Sequence, residues 1–171
     1  MSELNFLSAS SMAEQIRRKK LSPVELAAAH LSRIKSLDPK LNAFVQVDEE
    51  GVHRQARAAE SALDRPDNIG PLHGVPVSIK SSIEVSGMRW EAGTKLRAGI
   101  VGSWDAPLVQ RLRNAGAIIL GTTNTPELLM AWRPTIFFTE EPTIPGTCRA
   151  HRAVRAAAKQ QPSLPDARPV A

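Results

Sequence analysis

Along the first 64 residues the apolar positions recur three or four apart; beyond them they gather into short continuous runs. Met12 and Ile16 mark one side of a short helix expected over residues 11–19. Ser22-Pro23-Val24-Glu25 is a helix start. Ser22 can accept from free N–H groups of the first turn, proline suits the first helical position, and Glu25 stands where a capping box places its acid. Val24, Ala27, Leu31 and Ile34 then keep helical spacing. Asp38-Pro39 predicts the end of this helix, because a residue before proline is pushed out of the helical region. Residues 41–47 read as a short strand or extended link. A third helix is expected over residues 48–63, with Val52, Ala56, Ala59 and Leu63 on one face.

After residue 64 the texture changes. Residues 65–74 are rich in Pro, Gly, Asn and Asp and read as a loop. They feed Val75-Pro76-Val77-Ser78-Ile79-Lys80, an apolar run that predicts a buried strand with Lys80 at its end. A second loop, residues 86–105, holds Gly87, Gly93, Gly99 and Gly102. Asp105 is expected to cap a helix bearing Leu108, Leu112 and Ala115 on one face, and Gly116 to end it. Ala117-Ile118-Ile119-Leu120 is a second buried strand, and Pro126 is expected to open a helix running to Trp132. Strand, helix, strand in this order predicts a right-handed parallel crossover. Open α/β sheets place ligands beyond the carboxyl ends of such strands. Lys80 and Asn124 fall at those two places.

The pattern stops after Trp132. Residues 133–171 hold six of the thirteen prolines, and only Ile136-Phe137-Phe138 forms a compact apolar cluster. The chain therefore divides into an ordered segment, residues 1–132, and an irregular tail, residues 133–171, whose composition reads as disordered. The net charge of +5 raises the question of a nucleic-acid partner. Its distribution argues against one: the tail carries six Lys and Arg against three acids, so more than half of the surplus lies there. The tail also lacks interleaved aromatics beyond Phe137-Phe138. Hydrophobic residues make up 42% and charged residues 23%, as in ordinary globular chains. No apolar run is long enough to span a membrane. Cys148 is the single cysteine, so no internal disulfide is possible and a reducing cytoplasm is the expected compartment. Cys148 and His151 are two isolated ligand types and make no metal site.

A lysine closing an apolar strand is expected to sit partly out of water, which makes its amine a candidate base. The alternative is an ordinary surface lysine, or one paired with Glu84. The neighbouring residues favour the first. Gly70-Pro-Leu-His-Gly-Val-Pro-Val-Ser-Ile-Lys80 resembles the lysine motif of the amidase signature family. The order that follows is similar to that family too: Gly87-Met, Ala92-Gly-Thr, Asp105-Ala, Leu112-Arg-Asn-Ala-Gly-Ala-Ile-Ile-Leu-Gly121, then Thr123-Asn124-Thr-Pro-Glu127. Leu21-Ser-Pro-Val-Glu-Leu26 and Asp38-Pro-Lys-Leu-Asn-Ala-Phe44 resemble its opening helices. The resemblance covers about residues 5–132. One departure is Ser81, where the family usually has aspartate after the lysine.

The resemblance implies the N-terminal part of the amidase α/β fold, a mixed sheet flanked by helices, incomplete here. It implies hydrolysis of a small carboxylic amide without metal or cofactor. The family's catalytic set is Ser-cis-Ser-Lys: a neutral lysine takes a proton from the bridging serine, which deprotonates the nucleophilic serine. Backbone N–H groups then hold the oxyanion. Lys80 matches the lysine; Thr123 and Asn124 are candidates for the site wall, with capping of the turn after the strand as their structural alternative. The bridging serine belongs to a Gly-Gly-Ser-Ser-Gly-Gly motif that this chain does not contain. Loss of one nucleotide after the Trp132 codon is the expected explanation. In the shifted frame, permitted codons across the tail give Pro-Gly-Gly-Ser-Ser-Gly-Gly-Glu-Ala-Ala-Ala, with the serines spanning Val154/Arg155 and Arg155/Ala156. The expected chain is a catalytically silent amidase fragment; the competing reading is a non-catalytic interaction module with a basic tail.

Overall fold

A computed structural model of the chain describes residues 3–64 and 69–130. The expected tail, with Cys148 and His151, lies outside the described residues. Among the described residues seven α-helices and strands follow one another: α1 (Ala9–Arg17), α2 (Pro23–Leu41), β1 (Phe44–Val47), α3 (Glu49–Ala62), β2 (Pro76–Lys80), α4 (Pro107–Asn114) and β3 (Ile118–Thr123). The strands form one mixed sheet in the order β1-β3-β2. β3 is central, antiparallel to β1 and parallel to β2.

The starts of α2 and α3 follow the sequence closely, whereas α1 runs Ala9–Arg17, two residues ahead of its expected place. Ser8 caps α1, Asp48 caps α3 through Gly51 N (2.9 Å), and Ser22 caps α2 by accepting from Val24 N (3.1 Å) and Glu25 N (3.2 Å). The Ser22 hydroxyl donates onward to Glu60 of α3, so the cap also ties two helices together. Pro39 does not end α2, which runs on to Leu41. Asn42 takes the left-handed conformation (φ 50°) and closes the helix through Asp38 O (2.7 Å). The Asp38 carboxylate accepts from Ala43 N (2.7 Å) and Phe44 N (3.1 Å).

Two apolar layers cover the sheet. On one face α2 and α3 bring Ala27, Leu31, Val52 and Ala56 onto Ile118 and Leu120. On the other, Val109 of α4 packs with Val85, Met88, Ile79 and Ile119. α1 closes the end, where Met12, Ile16, Leu26, Leu63 and Val75 are buried together. Two expectations about α4 change. Asp105 is not its cap; its carboxylate accepts from Ser86 N (2.9 Å) and pairs with Arg113 (2.8 Å). The buried face belongs to Val109, while Leu108 is exposed, because the helix starts at Pro107 and its register is set from there. Gly116 ends α4 as expected, at φ 87°.

β2 is not the fully buried strand its apolar run suggested. It lies at the sheet edge, with Ser78 and Lys80 exposed and Ile79 buried. The segment after β3 also differs: instead of a helix through Trp132, a single 3-10 turn covers Glu127–Leu129, and Leu128 and Leu129 have positive φ. Trp132 lies outside the described residues. Among the described residues no helix is long and apolar enough to cross a membrane.

Candidate active site

Parallel pairing places Lys80 opposite Thr123 at the carboxyl ends of β2 and β3. The ladder continues one step further, where Ser81 N donates to Thr123 O (2.9 Å), and Thr123 Oγ1 reaches Ile79 O (3.4 Å). Two of the three candidate residues are thus side by side. Asn124 is the next residue along. Its backbone N–H donates to Ala43 O (2.9 Å) and its side-chain amide to Asn42 O, so it fastens the turn after β3 to the α2–β1 connection.

Lys80 is exposed, which corrects the expectation that its amine is partly withdrawn from water. Its side chain projects from the face of the strand opposite to that of buried Ile79. The pairing with Glu84 does not occur either. Glu84 is buried and accepts from Ser103 N (2.9 Å), and among the described residues Lys80 takes part in no ion pair.

Sequence reading missed how polar the ground beneath Lys80 is. Ser81, Glu84, Glu91, Thr94, Thr122 and Thr125 are all buried, and all lie at or beyond the ends of β2 and β3. Carboxylates organise this region by accepting backbone amides: Glu91 takes Gly99 N (2.9 Å), Glu84 takes Ser103 N (2.9 Å) and Asp105 takes Ser86 N (2.9 Å). Thr94 donates to Glu127 (2.8 Å). A side wall forms where Trp90 Nε1 donates to Ser82 O (3.1 Å) and the Arg97 guanidinium lies 3.5 Å from the Trp90 ring. Ser81 was recoverable from alternation, since Val75, Ile79 and Ser81 share one face of the strand and are all buried. Thr94 and Thr125 gave no such signal, because both stand in loops. Among the described residues no group of three or more His, Cys, Asp or Glu could hold a metal ion.

The amidase family profile matches residues 25–142, a span that includes Lys80, Thr123 and Asn124. The chain belongs to the amidase family. It is similar to the acylamidase of Rhodococcus erythropolis, 41% identical over 124 residues, covering 72% of this chain and 26% of that protein. It is also similar to a glutamyl-tRNA(Gln) amidotransferase subunit of Acidothermus cellulolyticus, 36% identical over 169 residues, covering 95% of this chain and 34% of that protein. Among solved amidase structures, native peptide amidase from Stenotrophomonas maltophilia superposes with a TM-score of 0.63 at 32% identity, over 70% of this chain and 25% of that one. The chain thus spans about a quarter to a third of the length of the curated relatives it matches. The mixed sheet with flanking helices is the N-terminal part of the amidase fold, as the resemblance implied.

Proposed function

We propose that this chain is the lysine-bearing portion of a hydrolase acting on small carboxylic amides, and that alone it turns over no substrate. In the complete enzyme Lys80 is the base of a Ser-cis-Ser-Lys set. Its neutral amine takes the proton of the bridging serine, that serine takes the proton of the nucleophile, and the nucleophile attacks the amide carbonyl. The amine leaves with a proton returned along the same path, and water releases the acid. The observation that carries this reading is the position of Lys80. It closes β2 at the carboxyl end of a parallel strand pair, beside Thr123, exposed and without an ion pair among the described residues. Open α/β sheets keep ligand chemistry at that place. Thr123 forms the adjoining wall, and Asn124 holds the wall in place through the α2–β1 connection.

Silence of the isolated chain follows from what the base lacks. Without a bridging hydroxyl and a nucleophile no acyl-enzyme forms. We read the tail as the product of a shifted frame whose codons still carry the Gly-Gly-Ser-Ser-Gly-Gly motif. Two measurements test the whole reading. Purified chain assayed against simple aliphatic and aromatic amides should give no release of amine above buffer; turnover that disappears in Lys80→Ala would overturn the claim of silence. Re-sequencing the gene should show a family frame starting one base away after the Trp132 codon, and a gene without that frame removes the explanation for the missing serines. With the frame restored, amide hydrolysis should appear and should depend on Lys80. The relatives include both an acylamidase and a protein of the amidotransferase type. Both names refer to amide chemistry, which supports amide C–N cleavage as the reading for this chain.

A further inference from the structure

Three hydroxyls beneath Lys80 have no protein partner among the described residues: Ser81 Oγ, Thr122 Oγ1 and Thr125 Oγ1. Each side chain is shut away from solvent, at 1%, 0% and 1% exposure. A buried hydroxyl without a partner is costly, and native proteins pair such groups with protein or with ordered water. Three together, in an otherwise well-satisfied region, point to one shared partner.

The backbone brings the segments that carry them together. Thr122 pairs with Ile79 in the parallel ladder, so it stands on the face of β2 that Ile79 and, two residues on, Ser81 also occupy. Ser81 N donates to Thr123 O (2.9 Å), which fixes Ser81 against the end of β3. Thr125 approaches from the loop beyond. The dipeptide Ala92-Gly93 links it to Ser81: Ala92 N donates to Ser81 O (3.3 Å), and a Cβ on Gly93 would lie 2.5 Å from Thr125 O. Ala92 itself holds a left-handed conformation (φ 49°) to make this approach.

We propose that Ser81, Thr122 and Thr125 enclose a buried water molecule at the carboxyl end of β2, a structural solvent site directly under the lysine-bearing turn. A water accepts and donates about three bonds in such sites, which matches three hydroxyls that each donate and accept. Its effect is to lock the end of β2 to the loop after β3 without a charged group. The site stands independently of any catalytic role for Lys80.

The test has two arms. In the native chain, a long-lived water should give nuclear Overhauser contacts to the methyl groups of Thr122 and Thr125; no such contact overturns the proposal, and this arm requires no variant to fold. In the second arm, Ser81→Ala, Thr122→Val and Thr125→Val are melted singly and in pairs. Each single change should lower the thermal midpoint by about 3–6 °C. Paired changes should lower it by less than the sum, because the water is lost only once. Midpoints that rise or stay level, as expected for dry hydroxyls replaced by methyl groups, overturn the proposal. So do losses that add in full, as three separate sites would give.

Discussion

The approach of Gly93 to the loop after β3 can be measured against a glycine that differs from it in a single respect. Gly93 and Gly87 both hold left-handed conformations, at φ 68° and φ 77°. A Cβ on Gly93 would lie 2.5 Å from Thr125 O and 3.2 Å from the Pro126 backbone, whereas a Cβ on Gly87 would meet nothing within 4 Å. Alanine at either position incurs about 1–2 kcal/mol for the left-handed backbone. It recovers about 0.4–1 kcal/mol because the unfolded chain loses freedom. Gly87→Ala should therefore destabilise by roughly 1 kcal/mol. Gly93→Ala carries the same cost and adds an overlap with main-chain atoms that no side-chain rotation relieves, about 1–3 kcal/mol by analogy with overpacked cores. Urea unfolding followed by tryptophan fluorescence reads this directly, since half-buried Trp90 donates to Ser82 O within the same region. The difference between the two variants isolates the overlap. A difference under about 0.5 kcal/mol, within the scatter of linear extrapolation, would refute the close approach of the two loops.

Other substitutions test other parts of the argument. Ile119→Ala, at a position with 0% exposure between the sheet and α4, should cost about 2–5 kcal/mol in the same unfolding assay. Asp38→Ala removes the acceptor for Ala43 N and Phe44 N and should cost about 1–3 kcal/mol, with loss of helical ellipticity confined to the end of α2. Lys80→Ala should leave stability within about 0.5 kcal/mol, because the side chain is exposed and unpaired among the described residues; a large loss would show that Lys80 is structural.

The starts and buried faces of α2 and α3 were legible in the sequence because they depend on neighbours a few residues away. Ser22-Pro23 and Asp48 cap where their chemistry says they should, and Ala27, Leu31, Val52 and Ala56 are buried as their spacing implies. Features decided by distant partners were not legible. Pro39 stays inside α2, and the helix ends only where Asn42 turns left-handed, with the Asp38 carboxylate accepting the next two amides. Asp105 looked like a cap but is drawn to Ser86 and Arg113, residues 19 and 8 positions away. The burial of Thr94 and Thr125 depends on two loops meeting, which no periodicity records.

The edge position of β2 follows from the same distinction and bears on what the chain can do. Val75 O accepts from Ile118 N (2.9 Å) and Ser81 N donates to Thr123 O (2.9 Å), so the odd-numbered residues of β2 face β3. Parallel pairing then turns the backbone of Pro76, Ser78 and Lys80 toward the free edge. Proline, which has no amide to donate, is tolerated at an edge strand's first residue, and a lysine on an edge discourages unwanted pairing. An apolar run of six residues can therefore belong to a strand open on one side. The amidase reading thus demands a second body of protein against the β2 edge to exclude water and supply the serines. It predicts that Lys80 becomes less accessible to acylating reagents when that body is present. Equal reactivity with and without a frame-restored remainder would mean that the edge stays open, and Lys80 would then be an ordinary surface lysine.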